Sequence, residues 1–161
     1  MPLVSAAQPN HPLIDGRQSH RAMQIRRGVQ VLLGEQGFAV LPEMVLATGR
    51  RADLVGLGPQ GAIWIVEIKS SIQDFQVDQK WPEYRDYCDC FTFATLPDVP
   101  TAIFPPDEGL LVADQYGGDV IRAPNELPLN AARRKAITLR FARAAAQKLM
   151  AAEWAADSTS D

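Results

Sequence analysis

The sequence predicts a mixed α/β domain, and three observations carry that prediction. Apolar residues recur at helical spacing near both ends of the chain. Between those ends they form short runs with strand-like alternation. Gly- and Pro-rich pairs punctuate the runs where turns are needed.

The elements follow in order. Ser19 is placed to cap a helix that runs to Glu35, where Gln36-Gly37 supplies a stop. Ile25, Val29, Leu32 and Leu33 fall on one side of it and form its core face. A strand begins at Phe38-Ala39-Val40-Leu41 and continues through Met44, Val45 and Leu46. Segments 52–57 and 62–69 are the next two strands, joined by the turn Gly58-Pro59-Gln60-Gly61. A second helix is expected from Gln79–Trp81 to Tyr87, with Pro82 tolerated in its first turn. Residues 90–96 return as a strand, and Pro97 to Pro106 form a loop. A hairpin pairs Gly109–Ala113 with Asp119–Arg122 around Tyr116-Gly117-Gly118. A long helix from Asn130 to Trp154 closes a single domain, residues 18–154, and a fraying tail follows at 155–161. Residues 1–17 are Pro-rich and polar. They lack the basic and apolar stretches of a signal peptide and are read as a flexible leader.

Composition narrows the function class. The 161 residues are 47% hydrophobic and 22% charged, which excludes a disordered chain. No run approaches the ~18 apolar residues of a membrane span, so a cytoplasmic protein is expected by elimination. Cys88 and Cys90, on one face of a predicted strand, lack partners for a zinc site and are read as reduced packing residues. The net charge of −3 excludes a general polyanion sponge, yet basic residues are segregated. Arg17, Arg21, Arg26 and Arg27 form one acid-free block. Arg133, Arg134, Lys135, Arg140, Arg143 and Lys148 form another.

The stretch RADLVGLGPQGAIWIVEIKSS, residues 51–71, places charges inside two predicted core strands. A buried charge is costly unless it is paired or metal-bound. Strand alternation puts Glu67 and Lys69 on one face, and Asp53 on a face with Val55 and Leu57. A two- or four-residue turn would set Asp53 opposite Val66. A three- or five-residue turn, or one bulge, sets it opposite Glu67, with Cβ atoms ~5 Å apart. Two carboxylates that close repel unless a cation lies between them, and hard oxygen ligands that leave room for water suit Mg²⁺ or Mn²⁺. Lys69 is then placed to hold a phosphate oxygen or an attacking water, a constellation able to cleave phosphodiesters. The alternative is a structural salt bridge at the mouth of a hairpin.

Asp53 followed by Glu67-Ile68-Lys69 on the next strand resembles the PD-(D/E)XK nuclease superfamily. The wider stretch, from GRRADLVGL through IWIVEIKSSIQDFQVDQKWPEYRDYCDCFTFA, is similar to the MmcB-like DNA-repair proteins, bacterial members of that superfamily. One departure is that Ala52, not Pro, precedes Asp53. The resemblance covers roughly residues 18–150. It implies a restriction-endonuclease-like core of helix, three-strand antiparallel meander, helix and strand, to which the extra hairpin and C-terminal helix are added. It also implies that Asp53, Glu67 and the Ile68 carbonyl ligate the metal and that Lys69 is the catalytic lysine. Many members add an acid from the first helix; Glu35 and Glu43 are the candidates here, and Glu43 is preferred.

The function expected from these residues is a Mg²⁺- or Mn²⁺-dependent DNA nuclease serving repair, with homodimerisation possible by analogy. The alternative is a DNA-binding or adaptor module of a repair complex that keeps the fold without cutting. Lys80, Tyr84 and Tyr87 at i, i+4 and i+7 are candidates for DNA contact along one helix face. Arg133, Arg140 and Arg143 fall within roughly 80° of one another at ~100° per residue and form a candidate phosphate stripe. Trp81 is read as core, and His11 and His20 as isolated surface residues.

Overall fold

The apolar runs in the middle of the chain become six strands of one mixed sheet, in the computed structural model that describes residues 12–160. Helix α1 spans Pro12–Glu35, and strands β1 (Ala39–Val45), β2 (Arg51–Leu57) and β3 (Ile63–Ile68) form an antiparallel meander. Helix α2 (Ile72–Val77) and a 3-10 helix (Trp81–Tyr87) lead to β4 (Cys90–Thr95), which pairs parallel to β3. Strand β5 (Gly109–Asp114) pairs parallel to β4 and antiparallel to β6 (Gly117–Arg122). Helix α3 covers Ala131–Ser158. The spatial order of the strands equals their order in the chain.

The parallel centre explains the continuous apolar runs. A central strand that is covered on both faces needs apolar residues on both. Ile63, Trp64, Ile65 and Val66 of β3 are accordingly all buried, as are Phe91, Phe93 and Ala94 of β4. Helix α1 lies against β5 and β6 and buries Ile25, Val29 and Leu33. Gly28 permits that approach, because a Cβ there would overlap the carbonyl oxygen of Asp114. Arg21 pins α1 to the sheet by donating to the Ser70 carbonyl (3.1 and 2.8 Å) and to Asp98 (3.0 and 2.8 Å). That arginine is therefore committed to the fold rather than to a phosphate surface.

Several element boundaries differ from expectation. Helix α1 starts at Pro12, so Ser19 lies within it and residues 12–17 are helical; the rest of the expected leader lies outside the described residues. The second helix is split. Ser71 caps α2 by accepting the Asp74 N–H (3.0 Å), a Ser-x-x-Asp signal that precedes the stretch where a helix was expected. Segment 81–87 is 3-10 rather than α-helical, with Pro82 at its start. Cys88 ends that turn instead of lying on β4, and both cysteines are free. Burial pushes the Cys88 thiol up to about 12 and the Cys90 thiol to about 11, so both stay protonated. Helix α3 continues past Trp154 to Ser158.

Asp89 ties the second half of the chain to the first. Its carboxylate accepts the backbone N–H of Ile63 (2.7 Å) and of Leu129 (2.9 Å), and two guanidinium bonds from Arg134 (2.6 and 2.7 Å). Arg134 also donates to the Gly61 carbonyl at 2.9 Å. Burial opposes the charge, but the Arg134 and backbone donors outweigh it and hold Asp89 below the ordinary carboxylate range. Asp89→Ala should cost about 3 kcal/mol and lower the melting temperature by roughly 6–12 °C. A depressed pKa contributes stability above the unfolded value near ~4, and that stability is lost as pH falls through the folded value. Thermal melts from pH 7 to pH 3 should show wild type and variant converging at the acid end.

Candidate functional site

The turn between β2 and β3 decides which residues meet. Five residues, Gly58–Ala62, connect the strands; Gly61 takes φ +98°, a left-handed conformation that glycine adopts freely. The resulting register pairs Leu54 with Val66, so one step further along Asp53 faces Glu67. On the other side, Pro42 pairs with Leu54 and Met44 with Ala52, which sets Glu43 level with Asp53. Three carboxylates from three adjacent strands thus lie in one row. Glu43 itself has φ +58° and drops out of the ladder between Pro42 and Met44. A non-glycine residue in that region costs of order 1–3 kcal/mol, and such outliers cluster at functional sites.

The side chains of the row enclose a pocket of about 390 Å³ with Ile68, Lys69, Asp74 and Asp78. Asp53 Oδ2 accepts the Ile68 N–H at 2.8 Å. Lys69 Nζ lies 3.6 Å from Glu67 Oε1 and 3.1 Å from Asp78 Oδ2. The Lys69 backbone is fixed on β4, its N–H on the Ala94 carbonyl (2.9 Å) and its carbonyl on the Thr95 hydroxyl (2.7 Å). Asp74 Oδ2 accepts the Ser70 N–H at 2.9 Å, holding the chain just beyond the lysine. Glu67 Oε2 is buried and has no hydrogen-bond partner.

An orphaned carboxylate oxygen in a buried pocket is a marked exception, because buried polar atoms are nearly always satisfied. Its electrostatics point the same way. Burial, and then the neighbouring Asp53 charge, push Glu67 well above the ordinary carboxylate range. Burial also raises Asp53, against the opposing pull of the Ile68 N–H. Burial works against the Lys69 charge, but Glu67 and Asp78 overcome it and keep the group an ammonium. The pocket has an excess of carboxylates over cations, and an added positive charge would relieve it. Among the described residues, no three His, Cys, Asp or Glu side chains already surround a common point closely enough to hold a metal ion alone. One or two carboxylates with remaining positions left to water and backbone oxygen is the arrangement Mg²⁺ prefers. Asp53 and Glu67 therefore fit a hard divalent cation as its two carboxylate ligands, and Ile68 and Glu43 line the same pocket.

Other expected residues divide. Glu35 ends α1, is exposed and does not line the pocket; the α1 residues that do are Ala22, Met23 and Arg26. Tyr84 is buried, 4% exposed, with its hydroxyl donating to the Arg51 carbonyl and its ring stacked on Phe91. It cannot reach a nucleic acid. The i, i+4, i+7 pattern assumed an α-helix, and the 3-10 turn puts Tyr84 and Tyr87 in line instead. Lys80 is exposed next to Asp78, and Trp81 packs on Phe91 and Phe93 as core. Arg133 lies over the Tyr87 ring at 4.9 Å and donates to the Asp86 carbonyl. Arg133, Tyr87 and Arg140 line one small pocket of about 160 Å³, and Arg140 and Arg143 line a larger groove between β1 and α3. The sequence reading missed the pocket roles of Asp78, Asp74 and Arg26. For Asp74 the Ser71 cap was the available signal; for the other two there was none.

Fold and pocket together define an α/β protein with an acidic, lysine-bearing site at the end of two antiparallel strands. The chain belongs to the MmcB-like DNA repair protein family, whose model matches residues 9–156. It is similar over 83% of its length to a solved protein of unknown function from Silicibacter pomeroyi, covering 91% of that chain at 41% identity with a TM-score of 0.80. No curated protein matches it. No helix among the described residues is long and apolar enough to cross a membrane.

Proposed function

We propose that this protein is a Mg²⁺- or Mn²⁺-dependent deoxyribonuclease acting in DNA repair, with a restriction-endonuclease-like core of the PD-(D/E)XK type. The observation that carries the reading is the facing pair Asp53 and Glu67, with a buried, unpartnered Glu67 oxygen and the Lys69 ammonium beside it. Membership of a DNA repair family supports the choice of substrate. Asp53, Glu67 and the Ile68 carbonyl would hold the cation, with Glu43 lining the same pocket. When bound, it would supply acidification of water and neutralisation of charge on the phosphate. Lys69 orients a phosphate oxygen or the attacking water through its ammonium. Asp78 fixes that ammonium at 3.1 Å, and Asp53 keeps the Ile68 peptide in place through its N–H. A protein acting on DNA in this way belongs to the cytoplasm of a bacterium. It would work with other repair proteins or as a homodimer that addresses both strands.

A second reading has one observation in its favour. Lys69 is engaged by both Glu67 and Asp78, as a purely structural ion cluster would be. The protein would then be a DNA-binding or adaptor module that does not cut. Labelled single-stranded, duplex, flap and branched DNAs incubated with Mn²⁺ separate the two. The nuclease reading expects cleavage of at least one substrate by wild type and none by Asp53→Ala. Intact DNA throughout would leave the binding module.

A further inference from the structure

The groove between β1 and α3 has a volume of about 650 Å³ and shares Glu43 with the acidic pocket. Its helix wall carries Arg140, Arg143 and Lys148. None of the three has a carboxylate partner among the described residues. Arg140 instead donates to the Val45 carbonyl at 3.4 Å and Lys148 to the Pro42 carbonyl, both on the edge strand. Between the cations the groove is apolar, with Val45 (50% exposed) on one side and Leu139 (59% exposed) on the other. At ~100° per residue, Met150 and Trp154 share a helix face with Leu139 and Arg143, so the apolar wall continues along α3. Trp154 is 64% exposed.

We propose that this groove takes an unpaired DNA strand and leads it past Glu43 to the acidic pocket. The inference rests on the nuclease reading and deepens it by naming the substrate class. Three unpaired cations match a polyanion, and their charge would be neutralised by phosphates. Apolar walls require a ligand with apolar faces. A duplex keeps its base faces stacked inside and presents sugar and phosphate, whereas a single strand offers each base for stacking. The volume also matches a cleft for a nucleotide or two, within the ~300–1,000 Å³ of small-molecule pockets, and not a seat for a double helix.

Fluorescence anisotropy with a labelled short oligothymidylate and with a duplex of equal length, both in EDTA, tests the proposal without cleavage. Wild type should bind the single strand at least about tenfold more tightly. Replacing Arg140, Arg143 and Lys148 together by Ala should remove most of that binding and flatten the log–log salt dependence by about 2, at ~0.7 per phosphate. Trp154→Ala should weaken binding by about tenfold and leave the salt slope unchanged. All four side chains are exposed, so circular dichroism should report unaltered folds, and the single change Arg143→Glu should weaken binding in the same direction. Preference for the duplex, or a triple variant that binds like wild type, would overturn the proposal. So would a wild-type dimer that the triple variant converts to monomer, since the groove would then be occupied by a second copy. Single-strand binding through the groove without any cutting in Mn²⁺ would sink the nuclease reading alone. Cutting that survives the triple variant unchanged would sink the groove alone.

Discussion

Asp53→Asn should weaken Mn²⁺ binding by more than about 100-fold, since loss even of a residue that merely supports a ligand costs 10–100-fold. Cleavage should fall with it. The fold should not suffer, because an asparagine carbonyl oxygen can still accept the Ile68 N–H that Asp53 accepts at 2.8 Å. The metal-free variant should in fact melt at or above the wild-type temperature. Asp53 and Glu67 face each other in a buried pocket, and removing one of two opposed carboxylates removes repulsion and a desolvation cost. A site that trades stability for function shows this signature, whereas a purely structural salt bridge would lose stability. Calorimetric titration and thermal melts on the same preparation read both effects.

Lys69→Met should separate metal binding from chemistry. The ammonium touches Glu67 and Asp78 but donates no lone pair to a cation. Mn²⁺ affinity should therefore hold or tighten as a like charge leaves the pocket. Cleavage should drop by ~10²–10³-fold, the usual cost of losing one preorganised group that stabilises transition-state charge. Methionine fills a similar volume, so the buried position is not emptied. A variant that loses metal and activity together would place Lys69 in the support of the metal site rather than in the chemistry.

Much of the fold was legible because it follows from local rules. The six strands lie close to where the apolar runs and the turn Gly58-Pro59-Gln60-Gly61 put them. The last hairpin, however, turns at Gln115-Tyr116, and Gly117 and Gly118, expected in the turn, already pair within β6. The Asp53–Glu67 pairing was legible only as a condition on the turn, and a five-residue loop met that condition. What stayed hidden depends on tertiary context. Nothing local tells a 3-10 turn from an α-helix at 81–87, and that choice buries Tyr84 instead of exposing it. Arg133 and Arg140 share a helix face in the sequence, yet Arg133 is drawn onto Tyr87 while Arg140 turns toward β1. Asp78 reaches Lys69 because α2 stops at Val77. The left-handed backbone of Glu43 is likewise a product of the β1–β2 pairing, since nothing in Leu41-Pro42-Glu43-Met44 requires it.

The central claim is that the facing carboxylates form a divalent-cation site. Titrating Mn²⁺ calorimetrically into metal-free wild type and into Asp53→Asn tests it most directly. Saturable binding in wild type that is lost in the variant is the predicted result. Absence of binding to wild type, or equal binding to both proteins, would contradict it.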